Sequence, residues 1–375
     1  MAGLYIHIPF CASRCIYCGF YSTTLSVLQD RYVEALCKEM DMRKKYIANK
    51  AHTTEINTIY LGGGTPSQLS QANIYRLFNH IYKVYNVNPT AEVTMECNPD
   101  DITPSLASFL ASCAVNRVSM GAQTFNNARL SFLHRRHDAS EIYKALDLLK
   151  KNSILNISID MMFGFPNETI EDWKQDLNCV LSTNVPHISA YSLMYEEGTQ
   201  LFRLLKEKKV DEISEEASLT MYNTLIDTLT YNGYEHYEIS NFAKPGFRAA
   251  HNSSYWHNIP YIGIGAAAHS YNGKSRQWNI ADIKKYIACI EDGKCCFEKE
   301  EIDEATHYND LITTALRTRE GLFLEVLTDK FKKYLLNTAA PLIEEGFLEI
   351  RNGYIYITRK GLYISDSIMA DLIYI

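Results

Sequence analysis

Three cysteines near the start of the chain have the type and spacing of metal ligands. Cys11, Cys15 and Cys18 lie in the run CASRCIYC, directly after the apolar segment LYIHIPF. Three thiolates this close in sequence can converge on one soft metal ion or one iron–sulfur cluster. A structural zinc site would need a fourth ligand to complete its tetrahedron, and His7 is the nearby candidate. Zinc binding and unliganded thiols are the alternatives to a cluster.

Composition narrows the class of protein that carries these cysteines. The chain has 375 residues, 46% of them hydrophobic and 22% charged, with a net charge of −7. Its length allows about two to three domains, and its charge does not favour nucleic acid or anionic lipid. We find no cationic segment followed by an apolar one at the N-terminus and no run of about 18 apolar residues, so we expect a cytoplasmic protein. In a reducing compartment the other seven cysteines are expected to be core or incidental thiols.

Strand-like and helical patterns alternate through the first two thirds of the chain. The predicted strands are 4–9, 56–61, 91–96, 117–121, 155–164, 187–194 and 234–240. The predicted helices are 27–48, 70–86, 103–114, 138–151, 169–183 and 215–232. Such alternation indicates an α/β fold in which parallel strands are covered by helices.

Polar and glycine-rich positions follow these strands at the point where each strand ends. The cysteine loop follows the first strand, GGGTP (62–66) the second, Glu96 ends the third, Gln123 follows the fourth and Asp160 lies in the fifth. Parallel strands present their carboxyl ends at one edge, and chemistry gathers there in such folds. We therefore expect these groups to share one site. Taken alone, GGGTP could be a plain turn and Glu96 a solvated strand end.

The tail from residue 301 has a different pattern. Helices are predicted at 302–318, at 329–345 and from about 359, and Asn352-Gly353 joins two strand-like runs as in a tight hairpin. This order is winged-helix-like. DNA binding is disfavoured because the basic residues are few and the chain is acidic, so we expect a packing or lid domain.

The cysteine spacing, with Tyr17 directly before the last cysteine, resembles the radical S-adenosylmethionine (SAM) superfamily. The resemblance implies a partial (β/α)6 TIM-like barrel and a [4Fe–4S] cluster held by Cys11, Cys15 and Cys18. It also implies that the open iron binds the amino and carboxylate groups of SAM, and that an electron donor is needed if SAM is cleaved.

Further motifs narrow the resemblance over nearly the whole chain. YIHIPFC, GGGTP, ECNPD, GAQTF, LHRRH and DMMFGFP look like the oxygen-independent coproporphyrinogen III oxidase family. By that resemblance one SAM contacts Tyr5, Gly63, Gly64, Thr65 and Glu96, with Tyr17 beside the cluster, and a second SAM contacts Gln123, Arg135 and Asp160. Arg136 is interpreted as a surface charge.

Two departures separate this chain from the oxidase itself. The oxidase has a fourth cysteine two residues after the third, where this chain has Phe20. The oxidase also carries an extension before its first strand, whereas here ten residues precede Cys11. Both features resemble the HemW-type heme chaperone branch of the family.

The run HNSSYW (251–256) matches the HNxxYW motif of that branch. His251 is a candidate heme ligand through a neutral imidazole, and Asn252, Tyr255 and Trp256 complete the candidate heme site. His257, His236 and His269 are alternatives, and a lone histidine beside aromatics is commonly a structural residue. GIGAAAHS (263–270) lacks the strand, helix and acidic partner of a dinucleotide fingerprint, so dinucleotide binding is rejected.

These observations support one function and leave another open. The favoured hypothesis is a SAM- and cluster-binding chaperone that takes heme as cargo and delivers it to an acceptor protein. The alternative is a radical enzyme that oxidatively decarboxylates coproporphyrinogen III in porphyrin biosynthesis. The predicted domains are a barrel at 1–240, a connecting region with the HNxxYW motif at 241–300 and a HemN-type C-terminal domain at 301–375.

Overall fold

The computed structural model describes residues 1–47 and 54–375. Its strands are β1 (Ala2–Ile8), β2 (Ile56–Gly63), β3 (Val87–Cys97), β4 (Arg117–Gln123), β5 (Asn156–Phe163), β6 (His187–Ser192), β7 (Glu235–Glu238), β8 (Asn241–Ala243), β9 (Tyr261–Ile264), β10 (His269–Tyr271), β11 (Ser275–Asn279), β12 (Phe297–Glu301), β13 (Leu322–Phe323), β14 (Leu348–Arg351) and β15 (Tyr354–Ile357). These strands form one large sheet and one small sheet.

The helices are α1 (Gln29–Arg43), α2 (Gln71–Val84), α3 (Pro104–Ser112), α4 (Asn127–Phe132), α5 (Ala139–Lys151), α6 (Ile170–Ser182), α7 (Gln200–Lys206), α8 (Glu215–Tyr231), α9 (Ala250–Trp256), α10 (Ile283–Glu291), α11 (Glu304–Ala315), α12 (Asp329–Glu344) and α13 (Ser365–Leu372). Side-chain oxygens accept backbone N–H groups at the starts of several barrel helices, and these caps are Ser70, Thr103, Asp138, Thr169 and Ser214. Such caps satisfy donors that the first turn leaves free. The helix predicted at 27–48 ends at Arg43, and its last predicted position lies outside the described residues.

Strands β1 to β6 are parallel and lie in sequence order, which confirms the partial (β/α)6 barrel. Their register aligns Tyr5, Tyr60, Thr94 and Arg117 across β1 to β4. Successive residues of a strand point to opposite faces. One face therefore packs apolar residues such as Ile6 against the helices, and the other carries the polar residues into the barrel.

The seventh predicted strand does not continue the parallel pairing, so that part of the prediction is wrong. Strand β8 lies between β6 and β7 and is antiparallel to both. Only Ile239 and Ser240 separate β7 from β8, and such a short connection produces a hairpin rather than a crossover. The ring of His236 on β7 stacks on Phe242 of β8 at 4.4 Å.

Residues 261–301 extend the same sheet on its other side. Strand β9 is parallel to β1, and β10, β11 and β12 follow as antiparallel neighbours. The predicted connecting region therefore contributes strands to the sheet. Cys289 of α10 and Cys296 form a disulfide, so interpreting these two cysteines as incidental thiols was wrong. A short turn after α10 brings their Cα atoms to 6.1 Å, within disulfide range.

The C-terminal part has its own small core and the predicted winged-helix-like order. Helices α11, α12 and α13 pack with the sheet β13-β15-β14 around residues such as Phe331 and Leu335. Asn352 and Gly353 both have positive φ, as a two-residue hairpin turn requires, which confirms the predicted hairpin. Within residues 1–47 and 54–375, we find no helix with the length and apolar character needed to cross a membrane.

Candidate functional site

The cysteine loop lies at the carboxyl end of β1, where the strand pattern predicts the site. The Cys11 N–H donates to the Thr23 carbonyl at 2.9 Å, and the Thr23 N–H donates to the Pro9 carbonyl at 2.7 Å. These bonds close the loop at its base. Farther along it, the Ile16 N–H donates to the Leu133 carbonyl at 3.3 Å.

The three cysteines of this loop are free and partly buried. Burial raises the pKa of the Cys11 and Cys18 thiols, and the neighbouring thiols add to this effect. The Arg135 guanidinium approaches the Cys15 sulfur at 3.5 Å and supplies a compensating positive charge. Because thiolates are soft ligands, three thiols on one loop beside a cation fit a cluster held by three cysteines.

The three thiols lie on one loop but do not form a site for a single metal ion. Among the described residues, no group of three His, Cys, Asp or Glu side chains is already arranged to hold a metal ion. The Cys11 sulfur instead lies 3.4 Å from the Thr65 hydroxyl. A cluster is held through a different iron atom at each thiolate, so its binding does not require the three sulfurs to meet at one point.

The glycine loop after β2 packs against β1 at a distance that only glycine allows. Gly63 has a φ of +112°, and a Cβ there would lie 2.4 Å from the His7 ring. A Cβ on Gly64 would lie 2.6 Å from the backbone of Pro9. The Thr65 N–H donates to the Phe10 carbonyl at 2.8 Å, so this loop lies beside the residue that precedes Cys11.

Glu96 on β3 lies under the glycine loop. Its carboxylate accepts hydrogen bonds from the Tyr60 hydroxyl at 2.7 Å and from the Gly63 N–H at 3.1 Å. Burial raises its pKa to about 7 despite these bonds. Glu96 is thus an acceptor aimed at the loop, and it titrates near neutral pH.

The carboxyl ends of β1 to β5 and the loops that follow them form a rim. Gln123, Arg135 and Asp160 lie on this rim beyond Glu96. Gln123 is buried with a φ of 68° at a bulge in β4. Arg135 donates to the Asn98 side chain at 2.8 Å and to the Gly121 carbonyl at 2.7 Å. Asp160 accepts from Ser119 at 3.1 Å, and burial raises its pKa. The structure therefore brings Arg135 close to the cysteine loop.

Tyr5 and Tyr17 have different surroundings. The Tyr5 hydroxyl lies 3.0 Å from His7 Nδ1, inside the barrel. Tyr17 packs against a small apolar cluster that includes Leu133 and Phe165. Arg136, by contrast, is exposed and pairs with Asp100 and Asp101 at 2.7 Å, consistent with its interpretation as a surface charge.

Arg117 is a residue of this site that sequence reasoning missed. It lies on the inner face of β4 and is 1% exposed. Two of its guanidinium nitrogens, Nε and Nη1, are buried without a hydrogen-bond partner among the described residues. The Arg117 charge opposes the effect of burial on the pKa of Glu96 and Asp160. A basic residue at the start of an otherwise apolar strand was the available signal.

The HNSSYW motif forms α9, below the rim and against the barrel interior. The ring of His251 is fully buried, and Thr58 Oγ1 and the Tyr255 hydroxyl each lie 2.8 Å from its ring nitrogens. Burial lowers its pKa to about 3, so the imidazole is neutral at ordinary pH. Glu92 accepts the N–H groups of Ala250 and His251 at the start of the helix. In this arrangement neither ring nitrogen is free for a metal.

The remaining candidate heme contacts of the motif are partly buried, whereas the alternative histidine next to it is exposed. Asn252 and Trp256 are partly buried, and the Trp256 Nε1 is buried without a partner in the described part of the chain. His257 is exposed and bonded to the Ser253 carbonyl at 2.7 Å. His269 stacks on Trp278 at 6.0 Å, away from α9.

Phe20, which occupies the position of the fourth cysteine in the oxidase pattern, is 71% exposed. The adjacent Gly19 lies so close to Glu196 that a Cβ would meet its carboxylate at 1.8 Å. The segment after β6 therefore packs over the end of the cysteine loop.

Comparison with known proteins agrees with this geometry. Residues 5–180 match the model of the Radical SAM superfamily, and residues 302–364 match that of the HemN C-terminal domain. The heme chaperone HemW of Lactococcus lactis is 34% identical over 369 residues, which cover 97% of this chain and 95% of that protein. The heme chaperone HemW of Bacillus subtilis is 32% identical over 375 residues, 98% of each chain.

Among solved structures, the coproporphyrinogen III oxidase HemN of Escherichia coli, a radical SAM enzyme, aligns with a TM-score of 0.86. The alignment covers 99% of this chain and 90% of that chain at 23% identity, which shows a shared fold. The sequence relatives are closer and extend over the full length. The chain therefore belongs to the HemW family of heme chaperones within the Radical SAM superfamily.

Proposed function

We propose that this protein is a heme chaperone that binds a [4Fe–4S] cluster and SAM, holds heme and transfers it to an acceptor protein. The observation that carries the proposal is the identity of 34% over 97% of the chain with a protein named as a heme chaperone. The cysteine loop at the carboxyl end of β1 supports the cofactor assignment, since its three thiols leave one iron of a cluster open. The proposal places the protein in the cytoplasm, where the three cysteines of the loop would stay reduced and free to bind a cluster.

The residues of the rim have distinct parts in cofactor binding. Cys11, Cys15 and Cys18 would hold the cluster, and Arg135 would balance the charge of their thiolates. The backbone of Gly63, Gly64 and Thr65 and the carboxylate of Glu96 would hold the first SAM, with Tyr5 and Tyr17 beside it. When bound, a reduced cluster supplies the electron that can break a carbon–sulfur bond of SAM. Gln123, Arg135 and Asp160 form the proposed contacts to a second SAM.

His251, Asn252, Tyr255 and Trp256 are the proposed heme contacts. For His251 to bind iron, one of its two hydrogen bonds at 2.8 Å must break. Leaving such a buried partner unsatisfied costs about 1–3 kcal/mol, which an iron–imidazole bond can offset. Heme ligation by His251 thus implies a rearrangement of α9, whereas exposed His257 could bind without one.

A titration under anaerobic conditions tests the chaperone proposal. The protein is purified without oxygen, its cluster is reconstituted, and heme is added while absorbance is recorded. We expect saturable heme binding and no steady turnover of coproporphyrinogen III. Turnover without tight heme binding would refute the chaperone assignment and support the oxidase.

Two matched variants locate the iron ligand. In His251→Ala the heme spectrum is expected to change, because the proposed axial bond is lost. His257→Ala, six residues farther along, serves as the control and is expected to leave the spectrum unaltered. The reverse outcome would transfer the assignment to His257.

A further inference from the structure

A cavity of about 380 Å³ lies between the barrel and the C-terminal domain, away from the cysteine rim. Its walls are the end of β7, residues 317–319 after α11, and the β14–β15 hairpin with the turn that follows. The volume falls within the range of small-molecule sites, roughly 300–1,000 Å³. Neither the cluster nor SAM uses these residues.

The cavity has an excess of positive charge. Its charged lining residues, histidine aside, are Arg317, Arg319, Arg351, Arg359, Glu238 and Glu349. Arg359 is paired outside the cavity with Asp227 at 3.0 Å, but Arg319 and Arg351 have no ion pair with any described residue. Two arginines are thus available to a ligand.

Four arginines against two glutamates leave an excess of positive charge, and one of the glutamates already has hydrogen-bond partners. Glu238 is buried and already accepts hydrogen bonds from the Ser240 N–H and the Asn241 side chain. Arg317 reaches Asp366 through Nη1 at 3.4 Å, while its Nε is buried without a partner in the described ranges. Planar guanidinium groups of this kind bind carboxylates and phosphates by paired hydrogen bonds.

One wall of the cavity is connected to the HNSSYW helix. The guanidinium carbon of Arg317 lies 5.1 Å from the centre of the Trp256 ring, a cation–π contact. The Asn258 side chain, just after α9, contacts the Thr314 hydroxyl at 3.4 Å. A ligand that touches both α9 and the cavity would therefore follow a continuous surface.

The remaining lining is apolar. Ile239, Ile357 and Leu362 line the cavity beside the Tyr356 ring. Apolar walls together with arginines suit a molecule that has a flat apolar body and an anionic edge. A small inorganic anion would use the arginines alone and leave the apolar wall uncovered.

We propose that this cavity binds the carboxylate edge of heme, with Arg319 and Arg351 meeting its two propionates. The inference rests on the proposed heme-chaperone function and adds a second contact region to the HNSSYW helix. It also gives the C-terminal domain a direct part in holding the cargo.

A comparison of hemin with its dimethyl ester tests this proposal on the full-length protein. The ester keeps the macrocycle and iron but removes both negative charges. We expect the wild type to bind hemin at least tenfold more tightly than the ester. In Arg319→Gln/Arg351→Gln, hemin affinity should fall about tenfold or more, whereas ester affinity should not change.

Controls separate this inference from the function on which it rests. Arg31→Gln/Arg76→Gln removes two exposed arginines of α1 and α2, and hemin binding should be unaffected. If the wild type bound no hemin, the chaperone proposal itself would be wrong. If the wild type bound hemin and the Arg319/Arg351 variant bound it equally well, only the cavity assignment would be overturned.

Competition with inorganic phosphate shows whether the arginines bind the propionates of heme or a free anion. Added phosphate should compete weakly with hemin in the wild type and not at all with the ester. If hemin and ester bound equally while phosphate still bound to the arginines, the cavity would be a site for a free anion and the propionate assignment would be rejected. Thermal unfolding of each variant verifies that it is folded, which we expect because both arginines are exposed.

Discussion

Several side chains at the rim are partly or fully buried although they titrate or can bind metal. Cys11 and Cys18 are half-buried thiols whose pKa is raised, so they need a positive partner to become thiolates. A bound iron cluster is such a partner, and Arg135 beside Cys15 is another. Cluster binding should accordingly depend on each cysteine and on the charge of its surroundings.

Replacing one cluster ligand tests this dependence. In Cys18→Ser we expect loss of the charge-transfer absorbance of the reconstituted cluster, because the hydroxyl is a poor ligand for iron. Cys113→Ser, a partly buried free cysteine at the end of α3, is the matched control and should retain the cluster. Retention of full absorbance by Cys18→Ser would contradict the assignment.

Glu96 predicts a pH dependence of SAM affinity. Burial raises its pKa to about 7, so the carboxylate loses its proton between pH 6 and pH 8. The ionised form is the better acceptor for ribose hydroxyls, and SAM affinity should rise roughly tenfold over this interval. Glu96→Gln should remove the dependence, as measured by calorimetric titration at several pH values.

The raised pKa of Glu96 has the opposite effect on the stability of the fold, which should decrease as pH rises. A folded-state pKa above the unfolded value means that the native protein binds the extra proton, so this contribution weakens as pH rises from about 4.5 to about 7. Glu96→Gln should therefore unfold at an equal or higher temperature than the wild type at pH 8. A lower Tm for the variant would show that Glu96 stabilises the fold by other means.

At the scale of elements, β1 to β6 and the longer helices that cover them could be predicted from the sequence because strand-like and helical patterns alternate. The short helices α4 and α7 were missed. The same pattern predicted the shared edge of the cysteine loop, GGGTP, Glu96, Gln123 and Asp160, since carboxyl ends of parallel strands lie together. The parts of Tyr5 and Tyr17 came only from the family resemblance. The short strands β8 to β12 escaped prediction because three to five residues carry little periodicity. The hydrogen bond between His251 and Thr58 joins positions 193 residues apart, which no local pattern reveals.

The glycine loop after β2 gives a prediction at this scale. Gly63→Ala would place a Cβ 2.4 Å from the His7 ring at a positive φ, which should destabilise the protein by about 2–4 kcal/mol. SAM binding should weaken with it, because the loop backbone must move. Gly198→Ala is the control, since it has a φ of +88° with no atom within 4 Å. Its expected cost is about 1 kcal/mol in thermal or chemical unfolding.

At the scale of the whole molecule, the barrel has an apolar shell and a charged interior. Arg117 lies in that interior, and Glu96 and Asp160 are the carboxylates whose pKa it lowers against the effect of burial. A buried cation without hydrogen-bond partners among the described residues is costly in itself, but its charge also compensates the buried Glu96 and Asp160 carboxylates. The sequence shows that a basic residue begins β4. It does not show that this charge acts on carboxylates of two other strands, Glu96 of β3 and Asp160 of β5.

Arg117→Met tests the effect of this charge on stability and on SAM binding. We expect a lower Tm, because the buried Glu96 and Asp160 carboxylates lose a compensating charge. The pH midpoint for SAM binding should shift to higher pH, because the Glu96 carboxylate loses a nearby positive charge. Arg117→Lys keeps the charge and should restore the midpoint. An unaltered midpoint in Arg117→Met would show that the arginine has no influence on the rim.

The segment from α11 to residue 320 links both sides of the open sheet. Asp310 pairs with Arg276 of β11 at 2.9 Å, Thr318 bridges to Glu238 of β7, and Glu320 pairs with Arg248 at 2.7 Å. The barrel wall is thus completed on this side by ion pairs and by a short backbone bridge, in which the Ile239 N–H donates to the Arg317 carbonyl at 3.1 Å. The described residues form no continuous strand ladder across the gap. Ion pairs at the surface weaken as salt is added, whereas strand ladders do not. Loading and release of a large flat cargo through this side should consequently accelerate with ionic strength, while the cofactor rim stays insensitive to it.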